Sequence, residues 1–176
     1  NISFGEYVVR VRLAEGQDPP PPAMVWENRD HSRLQRLGEM LPDDAWGRGT
    51  TLQRVQSLLT WASTSWFYRN TGTATQYAPW DPETILAWGK AAQGHNGREP
   101  VVMCVQYAVT LVMSCLAVGI PARPAVFTGA INGFNGHFTG EVWFKEFNKW
   151  VMVDPTLDAI LFMGDQPLSV TDIQQA

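Results

Sequence analysis

With 176 residues, 45% of them hydrophobic and 17% charged, the chain can bury the core of one ordinary domain and is not of disordered composition. A net charge of −4 and a pI near 5.3 argue against nucleic acid or an anionic membrane surface as the main partner. No apolar run approaches the roughly 18 residues that span a bilayer, so no integral membrane segment is expected.

The chain opens on Asn1 without a signal-peptide pattern, which reads as an excised or processed piece of a larger protein. The compartment stays open, an extracytoplasmic domain among the options. Phe4 to Leu13 is β-branched and aromatic with partial alternation, and reads as a strand. Pro19 to Pro22 then enter neither a helix nor a central strand, so residues 19–25 form a stiff Pro-rich linker. Residues 1–18 are accordingly either the tail of a preceding module or a docked edge strand, and residues 26–176 are the domain proper.

Asn28 or Asp30 can cap a helix running to about Leu41, with Leu34, Leu37 and Leu41 on one face. From Thr51 to Tyr68, Leu52, Val55, Leu59, Ala62 and Trp66 recur at helical spacing. A Thr/Gly-rich loop from Asn70 to Ala78 follows. Asp81-Pro82 starts another helix that fades by Gly94. A fourth begins near Cys104, with Ala108, Leu111, Val112 and Cys115 as its buried stripe and Gly119 as its stop. Strands are then expected over Ala122 to Phe127, His137 to Phe144 and Trp150 to Asp154, with Lys145 to Lys149 joining the last two. Helices first and antiparallel strands afterwards make the fold α+β.

Two cysteines give no disulfide framework. Eleven residues apart on one helix, Cys104 and Cys115 would lie roughly 16 Å from each other, beyond the about 7 Å that a disulfide spans between Cα atoms. Cys115 in mid-helix reads as core. A thiol where a loop enters a helix meets free N–H groups and a partial positive charge, which favour the thiolate and can receive an oxyanion. Cys104 alone would more often be a small buried residue, but its company weighs against that. His137 starts a strand and Asp154 ends the next, so an antiparallel hairpin centred near Lys145-Glu146 makes them cross-strand neighbours. A carboxylate beside one imidazole nitrogen fixes the tautomer and leaves the other to act on a thiol. His31 sits in a charged helix start and His95 in a loop. Neither belongs to a zinc-binding spacing, and no metal or cofactor is expected.

Four ordered blocks carry a resemblance. They are Cys104-Val105-Gln106-Tyr107-Ala108, Gly119-Ile120-Pro121-Ala122-Arg123, Gly136-His137 with Glu141-Val142, and Trp150-Val151-Met152-Val153-Asp154-Pro155-Thr156. The stretch they span resembles the transglutaminase-like superfamily of the papain-type cysteine-protease fold. The resemblance implies helices packed on an antiparallel sheet, with the catalytic Cys at a helix N-terminus. It implies Cys104 as nucleophile, His137 as general base and then acid, and Asp154 as its orienting partner. It further implies acyl transfer on a protein or peptide substrate, hydrolysis of an amide being favoured over transamidation, with a non-catalytic binding module of the same fold as the rival. The Cys104 backbone N–H would serve the oxyanion, and Gln93, Asn96, Trp61 and Trp66 offer a second N–H. Thr139 stands where the family usually carries an aromatic, the approach Gly97 to Met103 is longer than common, and residues 1–50 match nothing in it.

Overall fold

The computed structural model describes residues 30–70, 74–128 and 136–175, together with two short strands near the start of the chain. These are β1 (Ile2–Phe4) and β2 (Tyr7–Val9), which pair antiparallel with Ile2 opposite Val9 and Phe4 opposite Tyr7. The segment read as one strand from Phe4 to Leu13 thus holds the end of β1 and the whole of β2, which pair with each other and, among the described residues, not with the main sheet; residues 10–13 lie outside the described residues. The Pro-rich linker lies outside the described residues.

Helix α1 (Ser32–Glu39) buries Leu34 and Leu37. Its cap is His31, whose Nδ1 accepts the Arg33 N–H, and not Asn28 or Asp30. A single turn, α2 (Asp43–Trp46), follows Pro42 and is too short to show a periodic stripe. Helix α3 (Thr51–Thr64) starts with a reciprocal Thr50–Gln53 capping box. It stops four residues short of the expected Tyr68. The Ser63, Thr64 and Ser65 hydroxyls turn back onto the carbonyls of Thr60 and Trp61, a competition for backbone groups that weakens helices. The chain beyond is captured by a bridge between Arg69 and Val102.

Strand β3 (Gln76–Tyr77) lies parallel to β4 (Pro100–Val101). A parallel pair needs a crossover, supplied here by α4 (Pro82–Ala91), which Asp81 caps by accepting the Thr84 N–H, and by a single 3-10 turn at His95–Gly97. Helix α5 (Cys104–Ala117) is buried along almost its whole length. It packs on an antiparallel sheet of order β5 (Ala122–Thr128), β6 (Gly136–Phe144), β7 (Lys149–Asp154) and β8 (Ala159–Ile160). The last elements are the small hairpin β9 (Phe162–Met163) and β10 (Gln166–Pro167), and then α6 (Val170–Gln175). The fold is α+β, with the core between α1, α3, α4 and α5 and the inner face of the sheet. Among the described residues no helix is long and apolar enough to cross a membrane.

The β6–β7 register differs from the expectation by two residues. Gly140 stands opposite Val153 and Phe144 opposite Lys149. The hairpin closes through the four residues Lys145 to Asn148, with Asn148 in the left-handed conformation at φ 49°, which asparagine tolerates. Asp154 therefore falls opposite Thr139 and not opposite His137. A slip of two preserves the face of every side chain, where a slip of one would reverse it. His137 and Asp154 remain on the same side, one step apart diagonally.

Candidate active site

Cys104 is the first residue of α5, and the helix starts there for a definite reason. Met103 is extended, and the Gln106 side chain folds back so that its Oε1 accepts the Met103 N–H at 2.9 Å. The same amide donates through Nε2 to the Ala78 carbonyl at 3.0 Å. Gln106 is completely buried, so both ends of its amide are satisfied where an unmade bond would be costly. Cys104 itself is 6% exposed.

Two tyrosines flank Cys104. The Tyr68 hydroxyl faces the Cys104 backbone and takes part in a hydrogen bond with the Asn70 amide at 3.4 Å, while its ring stacks on Tyr107. Burial pushes the Tyr68 hydroxyl above its ordinary range, the charge of a Cys104 thiolate adds to this, and the backbone N–H of Cys104 works against it. Tyr77 is likewise raised, first by burial, with the Gln106 side chain opposing and Cys104 and Tyr68 adding. At neutral pH both phenols are intact O–H donors.

His137 and Asp154 meet directly. His137 Nε2 lies 2.6 Å from Asp154 Oδ2. The other carboxylate oxygen, Oδ1, accepts the Thr156 and Leu157 N–H groups at 2.9 and 3.3 Å. Asp154 is 4% exposed and therefore held at both oxygens, whereas the His137 side chain is 37% exposed. Thr139, between them on the same face, is buried and donates to the Val153 carbonyl at 2.7 Å. The imidazole is oriented through one nitrogen and presents Nδ1 away from the carboxylate.

The residues next to these candidates share a cleft. Val105, following Cys104, and Phe138, following His137, both line an apolar cavity of about 220 Å³ between α5 and the sheet. Neither Cys104 nor His137 lines it, and because side chains alternate along a strand the His137 ring lies on the face of β6 opposite to Phe138. Cys115 is wholly buried, and burial pushes its thiol up to about 12.

The other residues considered from sequence lie elsewhere. His31 caps α1. Only the backbone of His95 is described. Gln93 and Asn96 are exposed, Trp61 packs against the core, and Trp66 is buried against Tyr107 with its Nε1 enclosed and without a partner among the described residues. Tyr68 was not foreseen, because its approach to Cys104 depends on the distant pairing of Arg69 with Val102.

Among curated proteins no relative matches. The chain is similar to the solved structure of a candidate cysteine protease from Cytophaga hutchinsonii, at 18% identity and a TM-score of 0.49, over 70% of this chain and 37% of that one. It is also similar to the crystal structure of a TGase, at 18% identity and a TM-score of 0.45, over 70% of this chain and 30% of the other. The chain thus spans about a third of the length of either. The model of the transglutaminase-like superfamily matches residues 43–155, well over half of the sequence and all three of Cys104, His137 and Asp154. The chain belongs to the transglutaminase-like superfamily.

Proposed function

We propose that the chain is a thiol-dependent acyl-transfer enzyme that hydrolyses an amide or peptide bond, with Cys104 as nucleophile, His137 as base and then acid, and Asp154 holding the imidazole. The observation that carries this reading is the 2.6 Å contact of His137 with a buried carboxylate already satisfied at its second oxygen. Such a partner fixes the tautomer and stabilises the imidazolium.

The imidazole takes the thiol proton as sulfur attacks the carbonyl carbon. The resulting oxyanion accepts hydrogen bonds from the Cys104 N–H and the Tyr68 hydroxyl. Collapse expels the amine, which leaves with the proton from the imidazolium, and a thioester remains. Water, giving its proton to His137, attacks that thioester. The second collapse releases the acid and returns the proton to sulfur. The solvent exposure of His137 supports water as acceptor.

The test is a peptide substrate offered together with a fluorescent amine. Amide hydrolysis without amine incorporation, abolished in Cys104→Ala, is the expected result. His137→Ala should lower kcat by roughly 10⁴-fold or more while melting close to the parent. Amine incorporation would make the protein a transamidase. Labelling of Cys104 by a thiol probe without any turnover would make it a binding module.

A further inference from the structure

Pro155 interrupts the sheet beside His137 and Asp154. Along an antiparallel ladder successive residues turn their N–H and C=O groups to opposite neighbours. Trp143 donates its N–H to the Pro121 carbonyl, on the β5 side. Phe144, Val142 and Gly140 therefore turn to β7, where they face Lys149, Val151 and Val153. The next pair of this kind would be Phe138 with Pro155. Proline has no N–H to give, and the β6–β7 ladder ends at Gly140 and Val153. Past that point residues 136–139 of β6 pair with β5, and Asp154 pairs with Ala159 of β8. His137 and Asp154 thus stand on two arms of the sheet, and among the described residues no backbone ladder joins those arms beyond Gly140. Side chains take over across the gap. Thr139 Oγ1 donates to the Val153 carbonyl at 2.7 Å and lies 3.4 Å from the Met152 sulfur, and His137 Nε2 lies 2.6 Å from Asp154 Oδ2.

We propose that Thr139 is a positioning residue, whose hydroxyl clasps the two arms and sets the separation at which Asp154 holds the His137 imidazole. The inference rests on the acyl-transfer reading above and deepens it, because that reading requires the imidazole to be held. The first tie governs the second through the backbone. The Val153 carbonyl belongs to the peptide group that leads into Asp154, and Thr139 lies two residues from His137 on the same face of β6. Thr139 is completely buried, and its β-branched side chain is stiff about χ1, so the hydroxyl cannot turn to water instead. Without it, β6 is held here by β5 alone and the end of β7 by β8 alone. The Asp154 carboxylate would still accept the Thr156 and Leu157 N–H groups through Oδ1. The defect therefore falls on the His137 contact and not on the turn that follows Asp154.

Three substitutions test this on the protein as it stands. Thr139→Val and Thr139→Ala remove the hydroxyl, and Thr139→Ser keeps it. On a peptide substrate the first two should lower kcat roughly tenfold or more with KM little changed, and Thr139→Ser should stay near the parent. Independently of turnover, the imidazole proton held against Asp154 should give a separate low-field NMR signal, identified by its loss in His137→Gln. That signal should be lost or broadened in Thr139→Val and Thr139→Ala and retained in Thr139→Ser. Thr139→Ala and Thr139→Ser both lack the methyl group and differ only in the hydroxyl, so their comparison stands even where Thr139→Val folds poorly. A signal unchanged in Thr139→Ala, whatever its kcat, overturns the clasp, and so does the absence of the signal from the parent. Equal losses in Thr139→Ala and Thr139→Ser overturn it too, because methyl packing would then be the cause. A signal that follows the hydroxyl in a protein that cleaves no peptide upholds the clasp and overturns the reaction instead.

Discussion

Cys104 and Cys115 stand on one helix three turns apart, the first at its opening residue and the second in its interior. Cys115 is completely enclosed, and its thiol, pushed up to about 12, stays protonated at neutral pH. Iodoacetamide at pH 7 should therefore modify Cys104 first and reach Cys115 only after unfolding, a difference that mass spectrometry of the digested protein resolves. Equal labelling of both in the folded protein would remove the basis for an activated thiol. Tyr68→Phe tests the oxyanion role. Loss of one donor should lower kcat by about 10²–10³-fold with KM little changed, and a rise in KM alone would move Tyr68 to substrate binding. The elements that carry Cys104, His137 and Asp154 were legible because each is written locally, as a helix start, a strand start and a strand end. Tyr68 was not, since only the pairing of Arg69 with Val102 and the stack on Tyr107 bring it toward the start of α5. Trp66 was considered for its N–H, but its neighbours turn that group inward.

At the scale of elements, α4 and the turn that follows α3 are packed unusually close. A Cβ on Gly89 would lie 2.8 Å from Trp66 Cγ and 2.9 Å from its Cβ. Alanine in place of a helical glycine normally stabilises by roughly 0.5–1 kcal/mol. Here the overlap should dominate, and Gly89→Ala should lose about 1–3 kcal/mol, seen as a lower urea midpoint at unchanged slope. An unchanged or higher midpoint would mean that Trp66 has room to move. The long elements followed their apolar periodicity, and what escaped was of two kinds. Pieces of two to four residues, such as α2, β3 and β4, hold no full period to read. The β6–β7 register turned on the left-handed Asn148, and a sequence shows that asparagine without showing which backbone conformation it adopts.

Across the whole molecule, the final helix is fastened to the sheet by charge. Asp172 completes a capping box with Ser169 and lies 2.7 Å from Lys149 Nζ on β7. The Lys149 bond, before the Ser169 contacts, holds its carboxyl down at about 2. An unfolded aspartate titrates near 4, so this contribution is complete above about pH 4 and fades as pH falls toward 2. The difference in melting temperature between parent and Asp172→Asn should therefore narrow over that interval. A constant difference would show that the charge is not what fastens α6. Nearby, Glu141 binds Arg123 with one oxygen and the Val170 N–H with the other, while Arg123 lies 4.2 Å over the Trp150 ring. The sequence displayed these residues without their pairing, which joins β5, β6, β7 and α6.

The Gln106 amide, bonded at once to Met103 and to Ala78, joins positions 28 residues apart at the threshold of α5. The strand that presents Tyr77 and leads to Trp80 is thereby pinned to the turn that presents Cys104. The intervening α4 is anchored separately, through Ile85 and Leu86 in the core and Gly89 against Trp66, so the two ends of the crossover and its middle are fixed independently.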